Sequence, residues 1–380
     1  MQKFLINPNS HSEIDLPAFS QHALEFHKSL PNYKPSPLHS AKNLAKTLGC
    51  NNLYIKDESR RLGLPAFKIL GASYATIRVL QHNFGVKYSG IENFKKDLAE
   101  IDNIRLITAT DGNHGRAVAH IANLLGLKAT IYVPKHTKQA RIDAIKSEGA
   151  ELVIVDGNYD QAVDIAASQD GIIIQDTGYP GYENIPRYIV EGYSTMFWEI
   201  EEQLSNQNLP YPDLIIAPIG VGSFISAVVQ FYKSSIQKIH PIILGVEPEQ
   251  AGCAFEAIRE NKIIALEGPY ESVMAGLSCG KISTIAFPIL KNGVDGFILV
   301  RDVEALQAMK VLSKEKIISG ESGSASFAAL NILFSQEGKK NREHFQINES
   351  SNILIFSTEG ATDPEMYEAV MKANILEDLL

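Results

Sequence analysis

Short apolar runs alternate with amphipathic stretches along most of the chain. IRLITA (104–109), KATIYV (128–133), ELVIVD (151–156), GIIIQD (171–176), LIIAPI (214–219), IILGVE (242–247), GFILV (296–300) and NILIFS (352–357) are strand candidates, and LYIKDES (53–59) is another. Most are rich in Ile and Val and lack strict alternation, as strands covered on both faces do. Helical patterns lie between them, near 71–80, 114–125, 138–148 and 187–204. That order predicts an α/β fold with mostly parallel sheets and right-handed crossovers. The units fall into two groups. A small domain is expected over 86–189. A larger, discontinuous one takes 1–85 and 190–380, with the helix at 187–204 leading from one to the other. A ligand then belongs in the cleft between them, at the carboxyl ends of strands. Neither a low-complexity tract nor a solenoid-period repeat interrupts the pattern.

Composition narrows the choices. The chain has 380 residues, is 45% hydrophobic and 21% charged, and carries 35 Lys+Arg against 44 Asp+Glu, a net charge of −9. Those values fit a globular protein with a substantial core and argue against nucleic acid or an anionic membrane as the main partner. They leave room for a local phosphate pocket. No apolar run approaches the roughly 20 residues of a membrane span, and MQKFLINPNSHSE (1–13) lacks the apolar core of a signal peptide. The expected location is cytoplasmic. Cys50, Cys253 and Cys279 have no zinc-ligand spacing, so no metal site is expected. Cys253 and Cys279 flank a loop and are read as buried thiols, with a redox-dependent bond as the alternative.

One lysine stands out. Lys68, in AFKILGAS (66–73), follows the turn-rich RRLGLP (60–65) and opens a helix. A water-poor crevice and a positive helix N-terminus would both lower its pKa, leaving an amine able to attack an aldehyde. That is the requirement for a Schiff-base lysine.

Three strand-to-helix turns accompany it. TATDGNHGRAVAH (108–120) presents successive N–H groups that fit a carboxylate, although Asp111 and Asn113 also read as ordinary helix caps. PIGVGSFISA (218–227) offers N–H groups and the Ser223 hydroxyl to a phosphate. It lacks a Walker lysine and a third Rossmann glycine, and a plain tight turn explains it equally. FSTEGATDP (356–364) ends a strand in polar residues, of which Ser357 or Thr358 can bond a heterocyclic nitrogen. ESGSASFAAL (321–330) begins a small-residue helix facing the same cleft, with Glu321 behind the site. His114 reads as orienting its turn, Lys34 as solvated, and Tyr179 and Tyr182 as loop aromatics.

Taken together, these stretches resemble the fold-type II pyridoxal phosphate enzymes, the tryptophan synthase β and threonine dehydratase group. Within it they are most similar to the 2,3-diaminopropionate ammonia-lyases. YKPSPL (33–38), YIKDESRRLGLPAFKILGASYA (54–75), TDGNHGR (110–116), QDTGYPGYENIP (175–186), GVEPE (245–249), MAGLSCGKIST (274–284) and STEGATDP (357–364) carry the likeness across nearly the whole chain.

The resemblance implies pyridoxal 5'-phosphate as cofactor and an α,β-elimination that turns both isomers of diaminopropionate into pyruvate and two ammonia. It makes Lys68 the Schiff-base lysine and the base for the L-isomer, and Asp111 the base for the D-isomer. Phe67 and Asn113 belong to the cofactor site. Gly220, Val221, Gly222 and Ser223 form its phosphate cup, and Ser357, or else Thr358, meets its ring nitrogen. Thr110, Gly112, His114 and Asp176 fall to the substrate, a small amino acid whose cationic β-amino group Asp111 and Asp176 can pair with. A homodimer is implied by analogy. The competing readings are a serine or threonine dehydratase and a non-catalytic amino-acid sensor. Asp111, where many dehydratases carry a small residue, weighs against the first.

Overall fold

The computed structural model describes residues 3–110, 112–157, 159–234 and 239–380. Eleven strands are present among them: β1 (Phe4–Ile6), β2 (Leu38–Ser40), β3 (Asn52–Asp57), β4 (Arg105–Ala109), β5 (Lys128–Pro134), β6 (Glu151–Val155), β7 (Ile172–Ile173), β8 (Leu214–Pro218), β9 (Ile242–Pro248), β10 (Gly296–Val300) and β11 (Asn352–Ser357). They make two sheets. One has seven strands in the order β1-β10-β9-β8-β11-β3-β2, the other four in the order β6-β5-β4-β7. The α/β expectation holds. All pairings are parallel except those of the two edge strands, β1 against β10 and β2 against β3.

The continuous apolar runs mark the central strands because both faces of those strands are covered. Every residue of β8, β10 and β11 is buried. GIIIQD yields only two strand residues, Ile172 and Ile173, although the N–H of Ile174 still bonds Ile107 O of β4. The three-residue edge strands β1 and β2 carry no periodic signal long enough to read.

The lysine-bearing helix runs Lys68–Phe84, with Lys68 as its first residue. It packs against the long helix Asn184–Asn206 at very short range. A Cβ added at Gly192 would lie 2.5 Å from Leu70 O, and one at Gly71 would lie 2.6 Å from Tyr193 Cε1. His27, fully buried, ties the joint further: its ring nitrogens meet Thr195 Oγ1 at 2.7 Å and Leu70 O at 3.0 Å.

A second joint lies under the segment 58–67. Arg61, fully buried, donates to both oxygens of Glu58 and both of Glu199, while Lys56 donates to Glu199 and to Gln203. Two cations thus face two carboxylates with no water between them, and each guanidinium N–H finds an acceptor in a fork geometry. The same segment is laced to the exit of β11 by Glu58 N to Ser357 O (2.8 Å), Phe67 N to Thr358 O (3.2 Å) and Gly360 N to Pro65 O (2.9 Å). Lys68 and the residues following β11 are therefore held in one frame.

Candidate active site

Five strand ends or their continuations converge on one cavity that encloses about 760 Å³, its open mouth included. Lys68 comes from the segment after β3, and Thr110, Asn113 and His114 from the turn after β4. Asp176 follows β7, the stretch 220–223 follows β8, and Thr358 and Glu359 follow β11. Phe67 lines it too, its ring centroid 5.7 Å from Lys68 Nζ.

Lys68 Nζ donates to Asp176 Oδ2 at 2.5 Å. Burial opposes the charge of both partners, yet each is overruled by the other. The Asp176 carboxyl is held down at about 2, chiefly by the Lys68 ammonium, and the amine is held well above the ordinary lysine range by Asp176. This corrects the expectation of a depressed lysine: desolvation does act in that direction, but the neighbouring carboxylate outweighs it.

His114 is locked in one tautomer. Its Nε2 lies 2.7 Å from Ile174 O, a carbonyl that can only accept, so the ring proton resides there. Nδ1 is then a bare acceptor, buried, without a hydrogen-bond partner among the described residues and 3.9 Å from Asp176 Oδ2. Burial lowers the ring's pKa, which keeps that lone pair available.

The turn 218–223 leads into the helix Ser223–Tyr232 through Gly222, whose φ of +95° suits glycine and whose added Cβ would lie 2.8 Å from Ala286 Cβ. The N–H groups of Gly220, Val221, Gly222 and Ser223 have no acceptor among the described residues, which is an anion cup at a helix N-terminus. The Ser223 hydroxyl differs from expectation. It donates to Asp176 O at 2.5 Å, so the residue offers the cup its N–H rather than its hydroxyl proton.

Around the helix Asn113–Leu125, Gly112 N donates to Thr110 Oγ1 at 3.0 Å, and the Arg141 side chain packs over Gly112. The Asn113 carboxamide donates to Glu359 Oε2, whose other oxygen accepts from Ser322 N at 3.0 Å. Asp111 lies outside the described residues. Of the two hydroxyls at the end of β11, Thr358 lines the cavity, whereas Ser357, the last strand residue, is turned away, its hydroxyl bonded to Ser319 Oγ at 2.8 Å. The alternation of a strand explains this, since successive side chains face opposite sides.

Glu359 and Tyr159 line the cavity and escape a sequence reading. Glu359 stands within STEGATDP, where the hydroxyls draw attention first. Tyr159, on the helix Tyr159–Ala167, reaches the cavity and accepts from Gln175 Nε2 at 2.8 Å. Glu321 is buried, its Oε1 without a hydrogen-bond partner among the described residues. Burial first, then the charge of Glu359, push its carboxyl up to about 7. Tyr179 and Tyr182 stack on each other at 4.9 Å, and the Tyr182 hydroxyl donates to Ile173 O, so this pair braces the Asp176 loop rather than lining the cavity. Lys34 is exposed. Cys50, Cys253 and Cys279 form no disulfide with one another, and Cys279 borders the cavity. No group of metal-ligating side chains is present among the described residues, and none of their helices is long and apolar enough to cross a membrane.

Comparison with known proteins agrees with this geometry. Residues 30–355 match the family described as pyridoxal-phosphate dependent enzyme. The diaminopropionate ammonia-lyase of Salmonella typhimurium is 37% identical over 92% of this chain and 90% of that protein. Its counterpart from Escherichia coli K12 is 35% identical over 93% and 92%. A crystal structure of the Escherichia coli diaminopropionate ammonia-lyase, in complex with an aminoacrylate-PLP azomethine reaction intermediate, superposes with a TM-score of 0.87. It is 32% identical and covers 97% of this chain and 96% of that one. With its lysine at the head of a helix, its N–H cup and matches spanning nearly its whole length, the chain belongs to the pyridoxal-phosphate dependent enzymes and, among them, to the diaminopropionate ammonia-lyase family.

Proposed function

We propose that this protein degrades both isomers of 2,3-diaminopropionate to pyruvate and two ammonia with pyridoxal 5'-phosphate as cofactor. The observation that carries the reading is the Lys68–Asp176 pair set beside the N–H cup of 220–223. The donor set fits the cofactor: unengaged N–H groups for a dianionic phosphate, an amine for its aldehyde, a carboxamide at Asn113 and a hydroxyl at Thr358. A hydroxyl, unlike a carboxylate, leaves a ring nitrogen largely unprotonated. Thr358 faces the cavity and is the better candidate for that contact than Ser357. When bound, pyridoxal phosphate supplies an imine link to the amino acid and spreads the negative charge left at Cα.

The protein's own groups do the rest. The first turn of Asn113–Leu125 receives the substrate carboxylate on its N–H groups, with the Thr110 hydroxyl beside them, while the N–H groups of Thr110 and Gly112 are engaged by Tyr132 O and Thr110 Oγ1 and hold the turn in shape. Lys68 takes the α-proton from the L-isomer and Asp111 takes it from the opposite face of the D-isomer: the Cα–H bond breaks and an N–H or O–H bond forms. The Cβ–N bond then breaks and the β-nitrogen departs as ammonia. The released enamine is hydrolysed by water to pyruvate and the second ammonia. Asp176 and the Nδ1 of His114 hold the β-ammonium. Once Lys68 is engaged elsewhere, Asp176 is a buried carboxylate in need of a cation. Diaminopropionate brings one, and serine or threonine does not.

The two sheets support the division into 1–85 with 190–380 and 86–189. The assembly we propose is a homodimer in the cytoplasm. Pyruvate formation from D- and L-diaminopropionate, serine and threonine tests the activity, and borohydride trapping followed by digestion tests Lys68. No pyruvate from either diaminopropionate isomer, or label on another residue, would refute the reading.

A further inference from the structure

Glu359 is buried, and its carboxylate is met by donors on both oxygens. Ser322 N donates to Oε1 at 3.0 Å. Oε2 accepts from Asn113 Nδ2 and, at 3.4 Å, from the Thr362 hydroxyl. The backbone is fixed as firmly. Gly320 N donates to Glu359 O at 3.0 Å, while the flanking Thr358 O and Gly360 N bond Phe67 N and Pro65 O. A Cβ added at Gly320 would lie 3.0 Å from Oε1, so the carboxylate has no room to swing away on that side. The contact with Asn113 crosses from the rim of the seven-stranded sheet to that of the four-stranded one, and both residues line the cavity.

We propose that Glu359 is a positioning residue for Asn113, its carboxylate binding one N–H of Nδ2 so that the other is offered to the phenolic oxygen of pyridoxal phosphate. This rests on Asn113 belonging to the cofactor site, as the proposed function has it. The cofactor brings a phosphate, a ring nitrogen and a phenolic oxygen. The cup of 220–223 takes the first and Thr358 the second, which leaves the third to Asn113. A carboxamide has a donor end and an acceptor end. Turned the wrong way, it sets a carbonyl against an oxygen that carries negative charge. The Glu359 carboxylate decides the matter, because both of its oxygens accept and the Asn113 nitrogen must face them. A glutamine of the same shape cannot do this. Its single carbonyl oxygen serves either Ser322 N, a backbone donor that cannot turn, or Asn113. With the carbonyl on Ser322, its NH₂ faces Asn113 and draws the Asn113 carbonyl round.

Equilibrium dialysis of pyridoxal 5'-phosphate against the full chain freed of cofactor reads the effect without turnover. Glu359→Gln is expected to raise the dissociation constant about tenfold, and Asn113→Ala to raise it by a similar factor. In the Asn113→Ala background, Glu359→Gln is expected to add less than about twofold, because the group it acts through has gone. Unchanged thermal midpoints of the cofactor-free proteins verify the folds, and Glu359→Ala serves if glutamine is not accepted. A residue that merely braced the backbone would cost the same factor in both backgrounds, and that result would overturn the proposal, as would an unmoved constant for Glu359→Gln. A constant untouched by Asn113→Ala would overturn it as well, by removing Asn113 from the cofactor site. None of these results depends on pyruvate formation, so a failure of the proposed elimination is read separately.

Discussion

Lys68 and Asp176, 108 positions apart in the chain, meet as a direct ion pair with Nζ 2.5 Å from Oδ2. The pair joins the head of a helix fed by the seven-stranded sheet to a loop leaving the four-stranded one. It answers a problem of sequence in the reaction. The lysine must be stored as a cation when free, and the place it vacates must accept a cation from the substrate.

Asp176→Asn removes the charge and keeps the shape. A hydrogen bond to a charged group contributes about 1.5–3 kcal/mol, or roughly ten- to a hundredfold in affinity. The expected result is a fall of that size in kcat/KM for diaminopropionate, with a smaller change for serine. Steady-state kinetics on both substrates checks it, and equal losses would contradict a β-ammonium role.

Asp111→Asn is expected to lower turnover of the D-isomer by about 10²-fold or more and to spare the L-isomer. Thr110, Asn113 and His114 line the cavity. Separate progress curves for the two isomers decide; full D-isomer turnover would remove Asp111 from the mechanism.

Glu321 offers a pH test. Its carboxyl is raised from an ordinary 4.5 to about 7 by burial and by Glu359. The folded state therefore binds this proton more tightly than the unfolded chain. The associated stability is complete below about pH 4.5 and is lost as pH rises to about 7, amounting to something on the order of 3 kcal/mol. Glu321→Gln is expected to flatten that decline. The variant should melt higher than the unaltered protein at pH 8 and no higher at pH 5, as differential scanning calorimetry would show.

Glu199→Gln breaks the buried cluster beneath segment 58–67. Lys56 and Arg61 would then share the single carboxylate of Glu58. Uncompensated buried charge typically costs about 3–5 kcal/mol. A urea midpoint lowered by an amount of that size is expected; an unchanged midpoint would mean that solvent reaches these groups.

Much of this was legible in the chain alone, and the reason is local. Runs such as LIIAPI and NILIFS are continuous because neighbours cover both faces, Asn113 and the 220–223 turn follow strand ends where the pattern changes from apolar to polar, and Lys68 opens a helix after the turn-rich RRLGLP. What stayed hidden depends on distant segments meeting. The lysine's microenvironment was misjudged because Asp176 arrives from far along the chain. Tyr159 and Glu359 have no local mark that separates them from ordinary helix or loop residues. Ser357 and Thr358 are adjacent, and only the pleat of β11 tells which one faces the cavity.

Every reacting group described above hangs from the carboxyl end of a parallel strand, while the hydrophobic cores are built from the strands and helices behind. Chassis and tooling are thus separately replaceable. Retuning this molecule toward another β-substituted amino acid calls for exchanging a few short rim segments, 110–114 and 174–178 foremost, without recasting either sheet.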